Sequence, residues 1–321
     1  MIDNGLLVQM LLGALLGLSV YLPLAAGQLS LATPAFYAIG GLVAALLSTG
    51  PLAPPMAPDG AGGQTAGLLS LGSLGLEMGL AALIVALLAM ALGQAVLRLR
   101  GIYLAIATIA LVEILRVVSL NLSFTGGAVG IFAIPQPFND PAGYALFSLA
   151  LLLLACFLCQ RLASSRTGRA MAAIRDDEIA AASLGIASGR VKRFAFVLSA
   201  IVAALTGVVA AHFLNAWNPR LGNFDASVTT LAFVVFGGSR TWIGPVLGGL
   251  VLTALPELLR PVGDLRLIVF GLVILLGPSV FPQGLVTPEL LSWLRRRLLG
   301  RGPLEPAFAQ TAEGERGAPA P

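Results

Sequence analysis

The stretch Phe194-Ala-Phe-Val-Leu-Ser-Ala-Ile-Val-Ala-Ala-Leu-Thr-Gly-Val-Val-Ala-Ala-His-Phe-Leu-Asn215 contains no Asp, Glu, Lys or Arg. A helix rises about 1.5 Å per residue, so about 20 apolar residues cross the roughly 30 Å hydrocarbon core of a bilayer. The stretch therefore predicts a membrane-spanning helix. Over all 321 residues, 57% are hydrophobic and 11% are charged. Because a soluble protein carries about 25% charged residues, most of this chain is predicted to lie in a membrane.

Further segments along the chain have the same character, and the predicted fold class is all-α, a polytopic transmembrane helix bundle of about eight or nine spans. The predicted spans are 5–26, 30–49, 76–97, 101–120, 143–160, 194–215, 226–239, 242–259 and 265–281. Two of them, 30–49 and 226–239, are short or interrupted by Pro34 and by glycine pairs. Each of the two is a full span, a half-helix or a re-entrant segment.

The basic residues set the expected orientation. Most of the 19 Lys and Arg residues fall in the turn 98–100, the loop 161–193 and the tail 295–316. Basic loops stay on the cytoplasmic side, so we expect the N-terminus outside and the C-terminus in the cytoplasm. The predicted organisation is a transmembrane domain over 1–285, a basic interfacial helix over 286–301 and a disordered cytoplasmic tail over 302–321.

The loop between the fifth and sixth spans holds the most informative motif, Ser165-Arg-Thr-Gly-Arg-Ala-Met-Ala-Ala-Ile-Arg-Asp-Asp-Glu-Ile-Ala-Ala-Ala-Ser-Leu-Gly-Ile186. Thr167 can cap a helix, and Gly185 followed by Ile186 is a typical helix end. One helix is therefore predicted over 168–184, and its charges keep it out of the hydrocarbon. It is either a solvated connector or a helix that docks into a groove on a soluble partner.

With the adjoining Arg190-Val-Lys-Arg-Phe-Ala-Phe-Val-Leu-Ser-Ala200, this loop resembles the cytoplasmic coupling loop of LivM-type permeases, the membrane subunits of branched-chain amino acid ABC importers. Further segments resemble the same family: Gly27-Gln-Leu-Ser-Leu31, Arg98-Leu-Arg-Gly-x-Tyr-Leu-Ala-Ile106, Thr125-Gly-Gly-x-x-Gly-Ile131, Gly244-Pro-Val-Leu-Gly248 and Pro256-Glu-Leu-Leu-Arg260. The sequence departs from the family at Leu31-Ala-Thr-Pro34, where Leu-Gly-His-Ala is common, and at Arg240, where glycine is usual.

The resemblance implies an assembly in the bacterial inner membrane. A second permease subunit, LivH-like or another copy of this chain, would complete the pathway, two cytoplasmic ATPases would bind the ATP, and a periplasmic binding protein would deliver the solute. The chain has no Gly-x-x-x-x-Gly-Lys-Ser/Thr phosphate-binding loop, which agrees with ATP hydrolysis on partner chains. We therefore expect a non-catalytic subunit with no cofactor or metal of its own, in contact with lipid and not with nucleic acid.

Two sets of candidate residues follow. By resemblance, the contact with the ATPases is assigned to Gly168, Arg169, Ile174, Arg175, Asp176, Asp177, Glu178 and Gly185. The motif Ala-Phe-x-x-x-Gly-Gly occurs at 35–41 and again at 232–238, within the two interrupted spans. Interrupted helices in corresponding halves indicate a midplane site, although small residues also serve helix packing. The substrate-pathway candidates are Gln28, Phe36, Gly40, Gly41, Glu113, Thr125, Gly126, Gly127, Phe233, Gly237 and Gly238.

The remaining polar residues within the spans are predicted from their spacing and position. Glu113 and Arg116 can pair at i, i+3, and the pair either serves the pathway or lets the arginine reach the membrane surface. His212 is predicted to be packed or interfacial, and Glu77 is assigned to the interface. Cys156 and Cys159 lie in a leucine-rich span, which favours packing over redox chemistry.

Two other classes of function compete with the permease subunit. A self-sufficient secondary transporter can also be built on broken helices. A membrane enzyme is disfavoured, because the chain has one histidine, two cysteines and no paired catalytic carboxylates.

Overall fold

The computed structural model describes residues 4–49, 64–138, 140–263, 265–280 and 284–286. The helices in these ranges are α1 Asn4–Ala25, α2 Thr33–Thr49, α3 Gln64–Val96, α4 Ile102–Asn121, α5 Pro141–Ser164, α6 Arg166–Asp176, α7 Glu178–Ser183, α8 Ser188–Leu214, α9 Phe224–Gly237, α10 Ile243–Leu258 and α11 Leu265–Val280. Two short antiparallel strands, β1 Ile131–Phe132 and β2 Ala216–Trp217, pair with Ile131 opposite Trp217.

The predicted all-α membrane bundle is confirmed. Among the described residues, α1, α4, α5, α8 and the Gly72–Val96 part of α3 are long and apolar enough to cross a membrane. Shorter apolar helices lie at α2, α9, α10 and the Ile268–Gly277 part of α11. Each predicted span therefore coincides with an apolar helix. The predicted interfacial helix and disordered tail lie beyond residue 286, outside the described residues.

Helices α1 and α8 form the centre of the bundle and run antiparallel. Gly5 lies beside Phe213 at one end, and Ala26 packs with Ala195 at the other. Between these ends, the Ser19 hydroxyl donates to the Ser199 carbonyl at 2.8 Å. More than 60% of the apolar window of each helix is buried within the chain, against 22–33% for α3, α4 and α5. The two central helices are thus the ones that other helices surround.

The helices that pack on α1 and on α8 are arranged in the same way, with the chain running in opposite directions. Helix α1 packs antiparallel against α10, where Gly13 faces the Gly249 carbonyl and Gly17 faces the Pro245 carbonyl. In the same way α8 packs antiparallel against α3, where Gly93 faces Phe196. Both central helices are followed by a non-helical stretch and then by a short helix, α2 or α9. The two interrupted spans are therefore equivalent parts of an internal inverted repeat, with α5, α6 and α7 between its halves.

The predicted single helix 168–184 is wrong in one respect, because Asp177 divides it into α6 and α7. Asp177 is extended, at φ −154° and ψ 111°. Its carboxylate accepts hydrogen bonds from the backbone N–H groups of Ile179 at 2.8 Å and Ala180 at 3.0 Å. An aspartate stabilises a helix start better than a helix interior.

The two ends of this region are set by other residues. Ser165, and not the predicted Thr167, caps α6 by accepting from the Gly168 N–H at 3.1 Å. The predicted stop at Gly185 is confirmed by its φ of 80°. Residues 165–187 are called the α6–α7 connector below.

Candidate functional site

The first unwound segment, residues 26–32, joins α1 to α2 inside the bundle. Its backbone groups are satisfied by side chains from other helices: the Leu31 N–H donates to Thr108 Oγ1 at 3.0 Å, and the Leu31 carbonyl accepts from Ser227 Oγ at 3.1 Å. Non-helical backbone at membrane depth persists only where protein or water satisfies it. Thr108 of α4 and Ser227 of α9, which the sequence analysis did not single out, therefore hold this segment in place.

The second unwound segment, residues 215–223, leads from α8 into α9 along the start of α2. Trp217 is 1% exposed, and its indole N–H donates to the Ala38 carbonyl at 2.9 Å. Asn223 caps α9 by accepting from the Ala226 N–H at 2.8 Å. The Ser227 hydroxyl lies 3.1 Å from the Leu31 carbonyl and 3.2 Å from the Asn223 carbonyl, so the two unwound segments approach each other at the start of α9.

Glu113 joins α4 to the start of α9. Its Oε2 lies 2.6 Å from Arg116 Nη2, so the ion pair that their spacing predicts is present. Its Oε1 accepts from the Phe224 N–H at 3.2 Å, at the first residue of α9. The N-terminus of a helix carries partial positive charge that favours a carboxylate. Both side chains of the pair are about one third exposed, so another molecule can reach them.

Little space exists beside this pair in the described conformation. A cavity of about 10 Å³ lies between Arg116, Ile39 and Pro219, which is room for about one water molecule. A solute of amino-acid size therefore needs the helices around the unwound segments to separate.

Gln28, in the first unwound segment, is the polar pathway candidate that stands out. It is 1% exposed, and neither Oε1 nor Nε2 has a hydrogen-bond partner among the described residues. Burial of an amide without hydrogen-bond partners costs free energy, and native structures seldom contain such a group. The group is therefore available to water or to another molecule that enters the bundle.

The apolar pathway candidates lie in packed contacts between helices. Phe36 meets Phe196 edge to face at 5.5 Å, and Phe233 is 5% exposed in a cluster with Leu252. The glycine pairs allow close approach: Gly40 faces the backbone of Ala204, Gly41 faces the ring of Trp217, Gly237 faces the carbonyl of Gly244, and Gly238 lies against Gly284. None of these six residues lines the small cavity beside Arg116.

The candidates Thr125, Gly126 and Gly127 form a tight turn after α4. Thr125 is fully buried, and its hydroxyl donates to the Leu122 carbonyl at 2.7 Å. Gly126 and Gly127 both have positive φ, and the Gly130 carbonyl occupies the place of a side chain at Gly126. The turn is bound to the second unwound segment, because Asn218 Nδ2 donates to the Ala128 carbonyl at 3.1 Å.

The connector candidates divide into buried and accessible groups. Ile174 is 4% exposed and belongs to the packed side of α6, and Gly168 lies against the Leu162 carbonyl. Glu178 pairs with Lys192 at 2.8 Å and with Arg100 at 3.5 Å, which holds the connector to α8 and to the turn before α4. The turn 98–100 and the connector therefore lie at the same end of the bundle, as the charge distribution predicts.

The accessible apolar residues of the connector are Ile179 and Leu184, which the sequence analysis did not select. They are 77% and 80% exposed, beside the charged groups of Arg175 and Asp176. The alanine-rich pattern of α7 gave no signal for them, because α7 is too short for periodicity to define a buried face.

Glu77, which the sequence analysis assigned to the membrane interface, is buried within the bundle. Glu77 is 3% exposed, and its Oε2 lies 2.6 Å from His212 Nε2. His212 is packed, as predicted, and its Nδ1 lies 2.7 Å from the Pro135 carbonyl. A carbonyl only accepts, so Nδ1 carries a proton, and one further proton is shared between Nε2 and the carboxylate. No sequence motif joins these two residues, because they meet only when α3 packs on α8.

Taken together, a multi-helix membrane bundle, two unwound segments in an inverted repeat and an exposed connector define a multi-pass membrane transport protein. The profile of the family described as "Branched-chain amino acid transport system / permease component" matches residues 1–277. The chain belongs to this family of membrane permeases.

Several relatives carry permease names. The chain is 33% identical to the high-affinity branched-chain amino acid transport system permease protein LivM of Escherichia coli over 310 residues, 87% of this chain and 68% of that protein. It is 38% identical to the permease LivH of Escherichia coli over 104 residues, 32% of each chain. It is 28% identical to the autoinducer 2 import system permease protein LsrC of Yersinia pseudotuberculosis, over 48% of this chain and 46% of that protein. No solved structure gives a significant match.

Proposed function

We propose that this chain is a permease subunit of an ABC importer in the bacterial inner membrane, with its C-terminus in the cytoplasm. The observation that carries the proposal is the Ser227 hydroxyl, which contacts both unwound segments, at Leu31 and at Asn223, in a chain of the permease family. Broken helices in inverted repeats expose backbone groups at the centre of a transport pathway. Movement of α2, α4 and α9 would open that pathway.

The proposed solute is a branched-chain amino acid or a related small polar compound. The printed names of LivM and LivH support the amino acid, while that of LsrC indicates that related permeases carry another solute. Glu113 and Arg116 offer one anionic and one cationic group to the pathway. Such a pair suits an amino-acid zwitterion, and the unpartnered amide of Gln28 offers both a donor and an acceptor.

The proposed partners are a second permease subunit, LivH-like or another copy, two cytoplasmic ATPases and a periplasmic binding protein. In this assembly the ATPases bind and hydrolyse the ATP, and this chain has no catalytic step of its own. Ile179 and Leu184 would fill a groove on an ATPase, because exposed apolar side chains at the end of a braced connector suit a buried contact.

The proposal is tested by reconstituting the chain in liposomes with and without its proposed partners. We expect uptake of labelled leucine only when the second permease, both ATPases, ATP and the binding protein are all present. Omission of ATP is the matched control, since it changes nothing else in the vesicle. Uptake by this chain alone along an ion gradient would instead establish the competing secondary transporter.

The connector contact gives a sharper prediction. Changing Ile179→Lys together with Leu184→Lys should reduce co-purification of the ATPases at least tenfold, a loss of about 1.4 kcal/mol in binding free energy. Charge changes at Asp177 or Glu178 are less informative, because these residues cap α7 and brace the connector.

The control for this pair is Val129→Lys, which is 71% exposed at the opposite end of the bundle. ATPase retention is measured by affinity purification of the tagged permease from membranes. Equal retention by the connector variant and the control would refute the proposed contact.

A further inference from the structure

A cleft of about 330 Å³ lies where the end of α3 meets the start of α8, away from the unwound segments. It is lined by Gly93, Gln94, Leu97, Arg98, Gly189 and Arg193. Two arginines and one amide among six lining residues make it a cationic cleft, with no carboxylate in its wall.

Within the part of the chain that the structure describes, no carboxylate pairs with the two arginines of this cleft. Among the described residues, neither Arg98 nor Arg193 forms an ion pair, and Arg193 only donates its Nε to the Gly189 carbonyl at 3.2 Å. Helix α8 also lacks a side-chain cap at Ala187, and Gly189 of its first turn reaches the cleft. The start of a helix adds partial positive charge that favours an anion.

The cleft is continuous with the lipid-facing side of α3. Exposed apolar residues run along this helix at steps of three or four: Leu76, Leu80, Leu83, Leu87 and Met90. The next step is Gln94, which is exposed and lines the cleft, followed by Arg98. An apolar stripe therefore leads directly into a cationic cleft at the end of the bundle that carries the α6–α7 connector.

We propose that this cleft binds the headgroup of an anionic phospholipid whose acyl chains lie along the α3 stripe. The phosphate would be held by Arg98 and Arg193, and Gln94 would bond the polar groups near the glycerol. Basic clefts between helices at a membrane boundary are suited to such headgroups. Glu178 ties the turn 98–100 to the connector through Arg100, so a lipid bound here would stabilise the side of the bundle on which the connector rests.

Lipid retention by the purified full-length chain tests the proposal. The protein is exchanged into vesicles of phosphatidylcholine mixed with phosphatidylglycerol, extracted, and its bound lipids are counted by native mass spectrometry. We expect at least one phosphatidylglycerol, preferred about tenfold over phosphatidylcholine. Changing Arg98→Gln and Arg193→Gln should remove this preference, because both phosphate contacts are lost.

The matched control changes Arg166→Gln and Arg190→Gln, two exposed arginines at the same end of the bundle that do not line the cleft. It removes the same charge and should keep the preference. Equal loss in both variants would show attraction to surface charge alone and would overturn the proposal. Displacement of the lipid by millimolar inorganic phosphate would show a site for a soluble anion, which also overturns it.

A second measurement uses the unaltered protein, so it does not depend on folding of the variants. A photoactivatable phosphatidylglycerol should label the peptides around residues 93–98 and 189–193. Labelling confined to other helices would contradict the assignment.

Discussion

Changing Gly40→Ala is expected to prevent α2 from packing on α8 and to lower the stability of the whole bundle. A Cβ atom at Gly40 would lie 2.5 Å from the Cα of Ala204 and 2.7 Å from its carbonyl carbon. Carbon atoms are at their optimum about 3.5–4.0 Å apart, and both of these neighbours are backbone that cannot rotate away. Overpacking typically costs about 1–3 kcal/mol, and a clash with rigid backbone belongs at or above the top of that range.

The matched control is Gly79→Ala on α3, where nothing lies within 4 Å of the added carbon. A loss of about 3 kcal/mol lowers the midpoint of thermal unfolding by roughly 4–5 °C, measured on the purified protein in detergent. The control should keep or slightly raise the midpoint, since alanine favours a helix more than glycine. If Gly40→Ala is as stable as the control but transports less, Gly40 serves the pathway and not the packing.

The second large effect is expected for His212→Leu, which leaves Glu77 buried without a partner. Both side chains of this pair are 4% exposed. Removing one partner of a buried hydrogen bond typically costs about 1–3 kcal/mol, and more when the remaining group is charged, because that group then has no partner in a place that water does not reach. Changing Glu77→Leu in addition should recover much of this loss, since an apolar pair of similar volume avoids the desolvation cost.

The control for this pair is Arg260→Leu, which removes the partner of Glu257 in an exposed ion pair. Exposed pairs contribute about 0–1 kcal/mol, so its unfolding midpoint should stay close to that of the unaltered chain. All four proteins are compared by thermal unfolding in the same detergent. Equal midpoints for His212→Leu and Arg260→Leu would mean that the Glu77–His212 contact does not support the bundle.

The positions of the apolar helices could be predicted because hydrocarbon imposes a length on an apolar segment. That α2 and α9 are short could also be predicted, although α2 is continuous through Gly40 and Gly41, and so could the connector with its stop at Gly185. What could not be predicted is how each candidate residue of the substrate pathway is surrounded. The glycine pairs lie in contacts between helices. Gln28 is buried without a hydrogen-bond partner among the described residues, and Glu113 joins α4 to the start of α9.

The connector also combines features that the sequence predicts with features that only the packing decides. Its composition predicts a helix outside the membrane, yet the break at Asp177 depends on whether the carboxylate caps a helix or faces solvent, and local sequence permits both. Ile174 and Ile179 have equal hydrophobicity, but the first is 4% exposed and the second is 77% exposed. Only the packing of α6 on its neighbours separates them.

The sequence by itself determined that the chain is a membrane permease: where apolar helices cross, which loops are basic, and which motif ties it to its family. Each of these features depends on the composition of a single segment, because every segment is placed by the same choice between membrane and water. The tertiary structure alone decided which polar groups meet. The contacts of Glu77 with His212 and of Leu31 with Ser227 join residues that are far apart in the chain. Their contacts exist because antiparallel packing of helices brings distant residues to one depth, and no pattern within a single helix encodes its neighbour.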